Sequence, residues 1–315
     1  MSRLARILSG NAVGLVLAGG GARGFAHLGV NKALEEAGIE IDYVGGTSIG
    51  AAMAAYVAFD LPADTLIDRA RKAFASNPTG DKNLLPMISL IRGRTMKRTI
   101  DRAIHEAVGF AADASDTWRN YYCVATNFSR AREEVLERGD LANCVRASVS
   151  IPVALPPVIL NADLLIDGGT FNNFPTDVMA TTGAGRIIGV DLSRQRTRTY
   201  EQLLEVPSPL ALLIDRFRPF KKRKYKLPGL GAILMETTIL YSTSRQAVAR
   251  QSVDIYINPD LARIGLLEWK AFDRIVDIGY RQTLEVLASI PPETLALYRN
   301  AVEPESDVRD VRVEA

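Results

Sequence analysis

An α/β fold, with a mostly parallel central sheet between two layers of helices, is what the sequence predicts. Two observations carry that expectation. Short apolar runs of strand length alternate with segments of helical period. Several of the runs end in glycine-rich turns, and runs without polar alternation belong to strands covered on both faces.

Each element follows from its own stretch of chain. Residues 13–18 are an apolar run halted by three glycines, which reads as the first core strand. Residues 25–37 place Leu28, Leu34 and Ala37 against Lys32, Glu35 and Glu36 at helical spacing, and Gly38 closes the helix. A second short strand is expected at 41–44, then an alanine-rich helix at 49–59. Helices are expected at 62–75 and 98–108, strands at 121–128 and 164–166, a helical turn at 178–182 and a strand at 186–192. The stretch from about 200 to 250 reads as helical. A strand at 254–257 and helices at 270–287 and 293–302 follow, with a charged, frayed tail at 304–315.

The chain has 315 residues, 47% of them hydrophobic and 23% charged, which suits a globular protein and excludes a disordered or collagen-like one. The expected organisation is a core at 12–200 completed, within the same domain, by a mainly helical part at 201–303. A net charge of +2 argues against a global nucleic-acid binder. Two cysteines, Cys123 and Cys144, cannot form a disulfide framework and point to a reducing cytoplasm. Two histidines, His27 and His105, cannot make a zinc cluster, so neither metal nor cofactor is expected. Arg3 and Arg6 ahead of the apolar run 13–18 look superficially like an export signal, but cleavage there would remove the first strand. The longest apolar stretch, 49–59, is far short of the ~20 residues that span a bilayer.

Three motifs sit at expected strand ends, where open α/β sheets place their sites. The first is Gly19, Gly20, Gly21, Ala22, Arg23 and Gly24, between a strand and a helix. Such a loop can cradle a dinucleotide pyrophosphate, with Glu40 or Asp42 on the ribose, as in an oxidoreductase. It can equally offer N–H groups to the oxyanion of an acyl transfer, or be a structural turn. The second motif is Gly46, Thr47, Ser48, Ile49 and Gly50, a G-x-S-x-G turn between a strand and a small-residue helix. That is the setting of a nucleophile elbow, and it tips the reading toward acyl transfer through Ser48. No histidine follows His105, so the usual order of serine, acid and histidine cannot be completed. The third motif, Asp167, Gly168 and Gly169, follows a short apolar strand and supplies the best candidate base. An ordinary aspartate, with a pKa near ~3.9, needs desolvation and strong oxyanion stabilisation to serve.

These motifs, in this order, resemble the patatin-like phospholipase family. The blocks at 14–50, 165–192 and 254–280 resemble, within it, the catalytic domain of neuropathy target esterase and its bacterial relatives. The flanking runs 146–152 and 172–175 match as well. The resemblance implies a three-layer patatin-like fold and a Ser48–Asp167 dyad working through an acyl-serine intermediate. It also implies an oxyanion hole around Gly20, Gly21 and Ala22, with Arg23 at the family's basic position, and phospholipid or lysophospholipid as substrate.

A lipid substrate gives meaning to the basic run at 215–230. Arg216, Arg218, Lys221, Lys222, Arg223, Lys224 and Lys226 are interleaved there with Phe217, Phe220 and Tyr225. It reads either as a solvated loop or as a segment docking on anionic membrane, with Lys221, Lys222, Arg223 and Lys224 as contacts at the inner face.

Overall fold

Residues of the first strand divide alternately between two cores. Val13, Leu15 and Leu17 face one hydrophobic cluster, while Ala12, Val16 and Ala18 face another. The period of two in a strand buried on both faces produces this division. In the computed structural model, which describes residues 2–193, 205–217, 225 and 227–299, the sheet therefore lies between two helical layers.

In chain order the elements are α1 (Arg3–Leu8), β1 (Val13–Leu17), α2 (Ala26–Glu36), β2 (Tyr43–Thr47), α3 (Ile49–Ala58), α4 (Ala63–Ala73) and α5 (Arg94–Val108). Then come β3 (Asn120–Asn127), β4 (Arg132–Leu136), α6 (Leu141–Ser148), β5 (Val158–Leu160), β6 (Asp163–Asp167), α7 (Thr176–Thr181) and β7 (Arg186–Val190). Last are α8 (Pro209–Arg216), α9 (Leu230–Thr238), α10 (Leu240–Gln251), β8 (Ile255–Ile257), α11 (Phe272–Ser289) and α12 (Pro292–Ala296). The larger core packs α2 to α6 and α11 on one face. The smaller one gathers Phe174, Met179 of α7, Ile7 of α1 and Ala249 of α10 on the other.

The eight-stranded sheet runs β5-β6-β3-β2-β1-β7-β8, with β4 also on β3. From β3 to β8 all neighbours are parallel, whereas β4, β5 and β6 join antiparallel. The registers fix how β3 serves three partners. Cys123 and Val124 pair with both β2 and β4, and Ala125, Thr126 and Asn127 pair with both β4 and β6. A strand residue has one partner per edge, so β2 and β6 share one edge of β3 and meet there head to head.

Several expectations shift. The strand expected at 41–44 lies at Tyr43–Thr47, because Asp42 is drawn into a buried ion pair with Arg6 and the glycines at 45 and 46 stay in the ladder. Gly45 is there because a Cβ would collide with the ring of Tyr122. The helix expected from 98 begins at Arg94, where Asp81 accepts the N–H groups of Arg94 and Thr95. Four elements were not anticipated. These are α1, the charged edge strand β4, the three-residue β5, and α6, capped by Asp140 accepting from Asn143 N–H. The helix expected at 293–302 is the shorter α12, and the tail at 304–315 lies outside the described residues. Among the described residues no helix is long and apolar enough to cross a membrane.

Candidate active site

The elbow is built by the close approach of β1 to the start of α3. A Cβ at either Gly46 or Gly50 would collide with the carbonyl oxygen of Leu17. Between them Ser48 takes φ 56° and ψ −127°, a positive φ that a non-glycine residue adopts only when its surroundings impose it. All ten residues of α3 are buried, so the helix is fixed and its N-terminus sits directly behind Ser48.

The ends of β2 and β6 bring the two motifs together. Thr47 lies opposite Val124 and Asp167 opposite Ala125, adjacent positions of β3. Ser48 Oγ donates to Asp167 Oδ2 at 2.6 Å, across 119 residues of sequence. Gly169 N–H donates to the other carboxylate oxygen at 2.7 Å. Burial pushes the Asp167 carboxyl up from 3.8 to about 6, although both hydrogen bonds favour the charged form.

Where β2 leaves the ladder, Ser148 fills the gap. Its hydroxyl accepts from Ser48 N–H at 2.8 Å and donates to Val124 C=O at 2.6 Å. Nearby, Thr47 Oγ1 donates to Asn172 C=O at 2.7 Å, and Asp167 N–H donates to Ser150 C=O at 2.9 Å. Sequence reasoning missed Ser148 and Asn173 as site residues, and their only sign was a place in runs flanking the motifs. Asn173 C=O accepts from Gly19 N–H, and its side-chain amide donates back to Gly19 C=O.

The glycine loop lies on the elbow, its Gly19 against Ser48 and its Gly24 against Ile49. Not every amide expected in an oxyanion hole is available. Gly19 N–H is spent on Asn173 and Ala22 N–H on Leu266 C=O at 2.8 Å. Gly20 and Gly21, at the start of the helical turn Gly21–Phe25, have no acceptor for their N–H groups among the described residues. The Arg23 guanidinium donates to Ile264 C=O at 2.9 and 2.7 Å, so it tethers the loop to the segment before α11.

The dinucleotide alternative fails on Asp42. That carboxylate is buried at the opposite end of β2 from the glycine loop, held by Arg6 at 2.6 Å and by Val13 N–H at 3.0 Å. No ribose reaches it there. His27 is buried on α2 and donates through Nε2 to Ala18 C=O at 2.9 Å, and burial lowers its pKa to about 4, so it stays neutral. His105 is exposed on α5. Burial pushes both thiols up, Cys144 to about 12, which leaves them unreactive. Lys221, Lys222, Arg223 and Lys224 lie outside the described residues. Among the described residues no cluster of His, Cys, Asp and Glu is arranged to hold a metal.

A strained serine at a strand-to-helix turn of an α/β sheet is the framework of serine hydrolases. Residues 15–180 match the family model described as patatin-like phospholipase, and the chain belongs to that family. It is 34% identical to a lysophospholipase of Meyerozyma guilliermondii over 91% of its length and 20% of that protein's. It is 36% identical to the neuropathy target esterase of Drosophila melanogaster over 89% of this chain and 20% of that one. With the human patatin-like phospholipase domain-containing protein 6 it shares 34% identity, over 89% of this chain and 20% of the relative. The chain thus spans about a fifth of the length of these curated relatives.

Proposed function

We propose that this chain hydrolyses acyl esters of phospholipid or lysophospholipid through an acyl-Ser48 intermediate, with Asp167 as its base. The observation that carries the reading is the 2.6 Å hydrogen bond from Ser48 Oγ to a buried carboxylate whose pKa stands at about 6. Raised that far, Asp167 is still ionised at neutral pH and is a stronger base than an exposed aspartate.

Asp167 Oδ2 takes the hydroxyl proton as Ser48 Oγ bonds to the ester carbonyl carbon. The oxyanion accepts from Gly20 and Gly21 N–H and faces the N-terminus of α3. Collapse of the tetrahedral species breaks the ester C–O bond, and the leaving alcohol takes the proton from Asp167. Water then attacks the acyl carbon and gives its proton to Asp167, and the fatty acid departs as Ser48 Oγ is reprotonated. The names of the relatives support the substrate class, and a membrane or micelle surface is the proposed partner. The dyad calls for no metal or cofactor.

A fluorophosphonate probe should label the parent and fail to label Ser48→Ala. Asp167→Asn should lose at least about a hundredfold in kcat on lysophosphatidylcholine with its fold intact. Labelling that survives Ser48→Ala would place the nucleophile elsewhere and end this reading.

A further inference from the structure

The segment between α4 and α5 carries apolar side chains into water. Leu84 is 88% exposed and Met87 83%, and Leu85, Ile88 and Leu90 are also exposed. The loop is nonetheless tightly built. Asn83 N–H donates to Leu90 C=O at 2.8 Å, Arg92 N–H to Asp81 C=O at 2.8 Å, and Lys82 bridges Ile91 in antiparallel register. Ser89, buried at the neck, donates its hydroxyl to Ile91 C=O at 2.7 Å, and Asn83 Nδ2 donates to Ser89 C=O at 2.8 Å.

A folded loop that holds its apolar tip in solvent gains nothing from it within the monomer. The charges around it name the occupant. Residues 81–98 contain five cations and one acid. Asp81 is turned inward to cap α5, and Lys97 pairs with Asp101 at 2.5 Å. Exposed Lys82, Arg92, Arg94 and Arg98 have no ion-pair partner among the described residues. An apolar tip with a collar of free cations complements an anionic bilayer, whose phosphates meet the collar as the tip enters the acyl layer.

The loop is also wired to the site. Leu90 and Ile91 N–H donate to Val153 and Ala154 C=O at 2.8 and 2.9 Å. Three residues upstream of Val153, Ser150 C=O accepts from Asp167 N–H at 2.9 Å.

We propose that the loop tip Leu84, Leu85, Met87 and Ile88, collared by Lys82, Arg92, Arg94 and Arg98, inserts into anionic phospholipid bilayers. The purpose of this contact, presenting ester to Ser48, rests on the phospholipase reading, whereas the contact itself does not. Sedimentation with phosphatidylcholine vesicles containing about a third phosphatidylglycerol measures it, in a Ser48→Ala background that leaves the lipid intact. Binding should rise with phosphatidylglycerol, fall with salt, and weaken at least about tenfold when Leu85, Met87 and Ile88 are all changed to Ser. With Ser48 restored, that triple variant should keep the parent's rate on a soluble short-chain ester and lose rate on vesicle-borne lysophospholipid. Met87→Trp should shift its emission to the blue on anionic vesicles, a readout that holds even if the triple variant folds poorly. Undiminished vesicle binding by a folded triple variant overturns the proposal. So does loss of binding only when 221–224 become Ser, or a triple variant that changes only the oligomeric state. Vesicle binding through the loop by a protein that cleaves no lipid would leave this contact standing and end the phospholipase reading alone.

Discussion

At Asp167 burial and hydrogen bonding pull in opposite directions, and burial wins, leaving the carboxyl at about 6. Two outcomes follow from that one value. The base must be ionised, so kcat/KM on a soluble ester should fall on the acid side with a midpoint near 6 and stay flat above about pH 7. A midpoint near ~4 would mean that the catalytic carboxylate is solvated. Stability carries the opposite sign. The folded pKa lies above the unfolded one, so protonation favours the fold; that stability is complete below about pH 4 and is lost as the pH rises through 6. Asp167→Asn has no charge to bury. It should therefore unfold at higher urea than the parent at about pH 8, by about 3 kcal/mol, with the difference vanishing near ~pH 3.5. Activity and stability would then diverge at a single residue, the stored cost of holding the proposed base in a dry site.

Among the elements, β3 organises the chemistry. Its one edge receives β2 from one direction and β6 from the other, and the two catalytic candidates stand where the incoming strands end, Ser48 just past Thr47 and Asp167 as the last residue of β6. Such a junction leaves a gap in the ladder, and the Ser148 hydroxyl from α6 closes it by serving Ser48 N–H and Val124 C=O together. Ser148→Ala should strip both buried groups of their partner, at about 1–3 kcal/mol each by urea denaturation. Because one of them is the proposed nucleophile's own amide, the rate of fluorophosphonate labelling should drop as well. A variant with parental stability and labelling would show that water replaces the hydroxyl without loss. The elbow motif and the Asp-Gly-Gly turn were legible because each is local, set by glycines next to the functional side chain. Ser148 was not, since its role exists only where α6 crosses the junction.

Across the whole molecule, α1 clamps the sheet at the end away from the active site. Arg6 donates to both carboxylate oxygens of Asp42, whose side chain is fully buried and also caps Val13 N–H. Arg6→Ala should cost about 3–5 kcal/mol in urea unfolding, because it leaves a buried charge unpaired. The fluorophosphonate rate of the remaining folded protein should be unchanged. A loss below ~1 kcal/mol would mean that water reaches Asp42 in place of the arginine. In the sequence the same arginine resembled the head of an export signal and the same aspartate a ribose ligand. Only their meeting across 36 residues shows that the carboxylate is spent on the arginine and not on a ribose.

What the sequence by itself determined were the features written in neighbouring residues. These are the two-faced apolar strands, the strand-elbow-helix order around Ser48, the strand-end turn at Asp167, and the exclusion of a triad in the order serine, acid, histidine by the position of His105. The tertiary structure decided what depends on distant segments. It brought β6 antiparallel onto the edge of β3 already used by β2, and so set Ser48 beside Asp167. It also withdrew two of the amides of the six-residue glycine loop, by committing Gly19 to Asn173 and Ala22 to Leu266. The physical reason is the range of the forces concerned. Periodicity and turn chemistry act within a few residues, whereas which backbone groups remain unpaired is settled only after every strand and loop has found its partner.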